Sequence, residues 1–150
     1  MMTSFPESHL SAEVLARLCG FYRRLGMSLL PQLSQIYHPH IVFIDPVSRH
    51  NGVEALERYF GQLLKKVTYC RFDIQSALVQ GDQASLFWRM DYSHPALKKG
   101  QGMSMNGTSH LCLADNLVIY QRDYYDLGAM LYEHVPVLGG VVRAIKARLK

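Results

Sequence analysis

From Thr68 to Asp126 the chain breaks into four strand-like segments, and most of the breaks between them are too short to hold more than a turn. Thr68 to Val79 ends at Gln80-Gly81-Asp82, and Ala84 to Ser93 runs into a loop from Pro95 to Gly100. Gly102 to Leu113 ends at Asp115-Asn116, and Leu117 to Asp126 closes the series. Four successive strands joined in this way predict an antiparallel meander.

The helical segments precede the meander. Leu10 to Met27 repeats Val14, Leu15, Leu18, Phe21, Tyr22 and Leu25 at spacings of three and four, the period of a helix. A second helix is expected from Leu29 to Tyr37, with Leu30, Leu33, Ile36 and Tyr37 on one side and a stop at His38-Pro39. Ile41 to Pro46 reads as a β-branched strand ending at a proline, and Asn51-Gly52 as a turn. Val53 to Lys66 returns to helical spacing through Leu56, Tyr59, Phe60, Leu63 and Leu64. The predicted class is α+β: one domain over residues 1–150, with a core of about 10–128, whose curved antiparallel sheet wraps the N-terminal helices and leaves one concave face. Beyond it, Leu127 to Val135 and an amphipathic, basic helix over about 129–149 complete the chain. The stripe Leu138, Val141, Val142, Ile145 and Leu149 is expected to pack on this domain or on a second subunit rather than on a membrane.

Composition narrows the partners. Apolar residues make up 49% of the chain, enough for a real core, and 16 basic against 12 acidic side chains leave a formal charge of +4. The excess is crowded at Arg143, Lys146, Arg148 and Lys150 and at Lys65-Lys66, without the basic stripe and interleaved aromatics of a nucleic-acid surface. Cys19, Cys70 and Cys112 are odd in number and far apart, which predicts buried free thiols rather than a disulfide frame or a metal knuckle. The first ten residues lack an apolar stretch long enough for a signal or a span, so a cytoplasmic location is the expectation. His38-Pro39-His40 reads as a turn and His110 as an ordinary strand histidine; no metal or other cofactor is called for.

Within this order, Phe43-Ile44-Asp45-Pro46-Val47, Arg89-Met90-Asp91 and Arg122-Asp123-Tyr124-Tyr125-Asp126 stand out. On these segments the chain resembles the nuclear transport factor two superfamily, which includes ketosteroid isomerase, the SnoaL-type polyketide cyclases and limonene epoxide hydrolase. The ending, Leu131-Tyr132-Glu133 and Val135-Pro136-Val137-Leu138-Gly139, is similar to a bacterial SnoaL-like subgroup. The resemblance covers roughly Val14 to Asp126 and implies a cystatin-like cone with a small apolar pocket.

It also implies candidate chemistry. Residues two apart in a strand share a face, so Arg89 and Asp91 point together while Trp88, Met90 and Tyr92 point the other way. By resemblance to limonene epoxide hydrolase, Asp91 matches the general acid, Asp123 the water-activating base and Arg89 the cation between them. By resemblance to ketosteroid isomerase, Asp45 in Asp45-Pro46-Val47 matches the proton-shuttling base; read from its own residues, Asp45 is also suited to capping the turn before Pro46. Departures accompany both matches: Phe43 stands where the hydrolase has a tyrosine, and Phe21 and Ser109 stand where the isomerase has its oxyanion donors, with Tyr22 one register away. Phe43, Tyr22, Phe21, Phe60, Ser109 and Phe87 are the expected ligand-binding residues. Arg122, by alternation, faces away from Asp123.

Two functions follow as expectations: acid-base chemistry without a cofactor on a small apolar molecule, either hydrating an epoxide or moving a proton next to a carbonyl, and alternatively a non-catalytic binding or dimerisation module. A homodimer is expected to cover an outer sheet face formed by Trp88, Met90, His110 and Cys112.

Overall fold

The computed structural model describes residues 9–130 and 136–150. Helix α1 (His9–Arg23) buries Val14, Leu15, Leu18, Phe21 and Tyr22, the stripe that the spacing predicts, and packs on strand β3. The second helical segment is a 3-10 helix, Met27–Gln35, as long as expected but starting and ending two residues earlier. Tyr37 belongs instead to β1 (Tyr37–Ile44), which runs straight through His38-Pro39. Proline is tolerated there because the pairing of β1 with β6 slips between Tyr37 and Val42, so Pro39 need not donate to the ladder.

After the short β2 (Arg49–Asn51), helix α2 (Val53–Lys66) keeps the predicted boundaries. The meander follows as β3 (Tyr69–Gln80), β4 (Gln83–Ser93), β5 (Met103–Ala114) and β6 (Leu117–Tyr125). The β5–β6 hairpin turns on Asp115 and Asn116 at φ of 53° and 60°, the left-handed pair that suits the strand twist of a two-residue turn. One six-stranded sheet results, in the order β2-β1-β6-β5-β4-β3, with β1 and β6 parallel and the other neighbours antiparallel.

The inner face carries the core. Along β4 it takes Ala84, Leu86, Trp88, Met90 and Tyr92, and these pack with Phe43, Leu56, Leu111 and α1. The opposite parity, Phe87, Arg89 and Asp91, faces outward. The expected outer patch therefore needs correcting: Trp88 and Met90 are 3% and 7% exposed and belong to the core, while His110 and Cys112 do lie on the outer strand parity. Hydrophobic burial decides the parity, because turning β4 over would put an indole and three other large side chains into water and bring an ion pair inside.

Past β6, a single helical turn, α3 (Leu127–Met130), begins the segment expected from Leu127 to Val135, the rest of which lies outside the described residues. Helix α4 (Pro136–Arg148) is tied back by Lys146 Nζ donating to Asp126 at 3.2 Å, and Val137, Val141 and Ile145 on it and Leu149 just past it are exposed. No helix among the described residues is long and apolar enough to cross a membrane.

Candidate functional site

Strand register builds the site. In the β4–β5 ladder Trp88 sits opposite Gly107, and in the β5–β6 ladder Ser109 sits opposite Asp123. The indole therefore lies across a residue with no side chain: a Cβ on Gly107 would fall 2.2–2.7 Å from three atoms of the Trp88 ring. Its Nε1 donates to Ser109 Oγ at 2.9 Å, and that hydroxyl donates to Asp123 Oδ1 at 2.6 Å.

A second set of donors reaches the same oxygen from the other side. Gln121 Nε2 donates to Asp123 Oδ1 at 2.9 Å and to the Tyr22 hydroxyl at 3.2 Å. Tyr37 donates to Gln121 Oε1 at 2.6 Å, which fixes which end of the amide faces the carboxylate. Since Tyr37 has one proton and spends it there, Tyr22 must donate to Tyr37 across their 2.9 Å contact. Asp123 Oδ1 is thus held by two oriented donors, and Oδ2 accepts none from the described residues.

Asp123 lines a cavity of about 80 Å³, several times what one water needs. The side chain is half-buried, and it shares this space with an almost wholly apolar wall. Burial therefore dominates and raises its pKa from 3.8 to about 6, against the lowering effect of Ser109 and Gln121 and with a small push from the Asp45 charge.

Asp45 lines the same cavity from the end of β1 but is differently engaged. Its Oδ1 accepts the backbone N–H groups of Val47 at 2.8 Å and Ser48 at 2.9 Å, and the Tyr59 hydroxyl donates to its Oδ2. Asp45 caps its turn and lines the cavity at once. His50 stacks on Tyr59 with centroids 4.1 Å apart, and its Nε2 lies 2.7 Å from Ser48 Oγ.

The wall is mostly aromatic. Rings follow one another from Tyr125 to Trp88 at 6.2 Å, Phe72 at 5.2 Å and Tyr22 at 5.1 Å. From Tyr22 the series continues to Phe60 at 6.3 Å, Phe43 at 5.5 Å and Tyr59 at 6.1 Å. These are tilted or edge-to-face contacts, the arrangements that ring quadrupoles favour. Burial, then the Asp45 and Asp123 charges, push the Tyr125 hydroxyl upward, so it stays protonated, and it donates to no described residue. Burial likewise raises the Cys70 thiol in this wall to about 12, which leaves it inert.

The expected residues divide accordingly. Asp123, Asp45, Tyr22, Phe43 and Phe60 line the cavity. Phe21 is buried one ring behind it, 5.4 Å from Tyr22, and Ser109 supports Asp123 without lining the space. Phe87 is 39% exposed on the outer parity and does not line it. Arg89 and Asp91 also lie outside: they form a surface pair at 3.2 Å, side chains 51% and 46% exposed, with Arg89 also reaching Ser104 at 3.3 Å. The cluster expected of Arg89, Asp91 and Asp123 does not form, because β4 buries its apolar parity. Asp91→Asn and Arg89→Ala are each expected to change stability by less than about 1 kcal/mol in urea titrations.

Sequence reasoning missed Trp88, Gln121, Tyr37, Tyr59 and Tyr125. Tyr125 was within reach, since it lies two residues from Asp123 on the same strand and must share its face. Gln121 follows by the same rule. Tyr37 and Tyr59 carried no signal beyond a core stripe.

The six-stranded curved sheet closed over helices has the ketosteroid isomerase-like, nuclear transport factor two-like fold. More narrowly, the chain belongs to the SnoaL-like domain family, whose family model matches residues 20–121. Solved structures share the fold at low identity. A chain from Jannaschia sp. CCS1 bearing the name SnoaL-like polyketide cyclase is 18% identical with a TM-score of 0.73, over 87% of this chain and 95% of that one. A hypothetical protein with a ketosteroid isomerase-like fold from Catenulispora acidiphila, solved in complex with trimethylamine, is 13% identical with a TM-score of 0.69, over 81% and 91%. A nuclear transport factor two-like protein of unknown function from Mesorhizobium loti is 21% identical with a TM-score of 0.63, over 83% and 99%. No curated protein matches the sequence.

Proposed function

We propose that the cavity performs acid-base chemistry on a small, largely apolar molecule, moving a proton next to a carbonyl, with Asp123 as the base. The asymmetry of that carboxylate carries the reading: Oδ1 accepts from Ser109 and Gln121, while Oδ2, on a side chain that lines the cavity, accepts from no described residue. A base with a pKa of about 6 is mostly ionised at pH 7 yet still accepts a proton far more readily than an exposed aspartate. The Tyr125 hydroxyl is the donor for the substrate oxygen, and Asp45 holds Tyr59 and the strand end in place. One neighbour of this fold bearing the name SnoaL-like polyketide cyclase, and another of ketosteroid isomerase-like fold with a bound small amine, are consistent with a small-molecule pocket.

Between the two reactions expected from the sequence, the geometry favours proton transfer. Epoxide hydration by the resemblance needs Asp91 and Arg89 beside Asp123, and both stand on the solvent face. The test is hydrogen–deuterium exchange at the carbon next to the carbonyl, followed by NMR over a panel of small ketones and enones. Asp123→Asn is expected to slow the exchange by about 10²–10⁴-fold, and Tyr125→Phe by about 10²-fold. Exchange that survives Asp123→Asn unchanged removes Asp123 from the role.

A further inference from the structure

The charge of the cavity is one-sided. Asp45 and Asp123 line it, and among the described lining residues there is no lysine, arginine or histidine. An anion entering it would add negative charge beside two carboxylates, with no cation to offset the repulsion in a poorly solvated space. A neutral ligand without a donor would leave Oδ2 of an ionised Asp123 without a partner, and a neutral donor would leave its charge without a counter-charge. A cation satisfies that oxygen and at the same time meets a wall of aromatic rings, whose faces carry the negative end of the ring quadrupole.

We propose that the natural ligand of this cavity is a small organic ammonium ion, a protonated or quaternary amine with apolar substituents, seated between Asp123 Oδ2 and the aromatic wall. The inference deepens the reading above and rests on it for the site. Alkyl groups on the nitrogen suit an almost wholly apolar lining, and they weaken hydration of the charge, so entry sacrifices little. The cavity of about 80 Å³ limits the ligand to a few heavy atoms beyond the ammonium group. A positive charge on the substrate also supplies what the site lacks, since negative charge developing on a substrate oxygen finds hydroxyl donors here but no cation.

The pH dependence has a definite sign. The other ionisable groups facing the ligand are Tyr22 from α1, Asp45 from the end of β1, Tyr59 from α2, Cys70 from β3, Tyr92 from β4 and Tyr125 from β6. Burial pushes the tyrosines and the thiol upward, so they stay neutral near pH 6. Affinity for the cation is therefore full above the Asp123 pKa of about 6 and declines as the pH falls through it.

The experiment compares choline with 3,3-dimethylbutan-1-ol, which replaces the charged nitrogen by carbon at the same shape, in calorimetric and NMR titrations of the whole chain at pH 8. Choline is expected to bind at least about tenfold more tightly. Asp123→Asn, and separately Phe72→Leu, which keeps an apolar side chain but removes a ring, should each shrink that ratio. Phosphocholine, the same cation as a lipid headgroup presents it, is expected to bind more weakly than choline because its phosphate meets the carboxylates. Equal affinity for choline and its carbon isostere overturns the inference, and so does phosphocholine binding more tightly than choline. These outcomes are separable from the catalytic reading: Asp123-dependent exchange without a preference for the cation sinks only the inference, whereas the preference without any exchange sinks only the catalysis.

Discussion

Asp123→Asn is expected to melt higher than the parent protein at pH 8 even as it loses the proposed proton transfer. The folded protein raises this carboxyl from 3.8 to about 6, chiefly by burial, so the folded state holds the proton more tightly than the unfolded state does. That contribution to stability is complete below about 3.8, is lost as the pH rises through 6, and leaves the ionised parent destabilised above it. A shift of this size corresponds to at most about 3 kcal/mol, or several degrees of melting temperature for a domain of this length. Asparagine keeps an oxygen for Ser109 and Gln121 and cannot ionise, so the gain should be largest at pH 8 and vanish near pH 4. Thermal melts at the two pH values decide it. An equal gain at both would point to neutral packing and away from a buried charge. Stability lost in exchange for an ionised group in a cavity is the pattern expected where function and stability conflict.

The second large effect is at Gly107, far from any reacting atom. A methyl group there collides with the Trp88 ring at 2.2–2.7 Å, and both residues sit mid-ladder, where neither strand has room to retreat. Gly107→Ala is expected to destabilise the chain by about 3 kcal/mol in urea titration. If the ring moves, Ser109 loses the indole donor that orients its proton toward Asp123. Trp88→Phe shortens the side chain and opens the space, so Gly107→Ala should be milder in that background, with a coupling of about 1–2 kcal/mol. Simple additivity of the two changes would show that the collision is relieved elsewhere.

How much of the site was legible varies residue by residue. Asp123 and Asp45 could be placed in the cavity from resemblance and strand position, and Tyr22, Phe43 and Phe60 from the helix and strand stripes that bury them. Arg89 and Asp91 show the limit. Alternation correctly separated them from Trp88, Met90 and Tyr92, and the apolar set was the better candidate for the inside on burial alone. Resemblance to an epoxide hydrolase argued the other way, and the energetics of desolvating an ion pair prevailed.

The sequence by itself determined the meander, its turns, the extent of α2 and the pairing of residues onto common faces, because helical spacing, strand alternation and turn chemistry are local properties. Only the tertiary structure decided which face closed over the cavity, and which oxygen of Asp123 was left open. The oriented contacts of Tyr22, Tyr37 and Gln121 join residues up to 99 positions apart, and Tyr59 meets Asp45 from a different element. Such contacts depend on how a twisted sheet folds over its helices. No local pattern records that, and the burial that raises the Asp123 pKa exists only once the whole wall is in place.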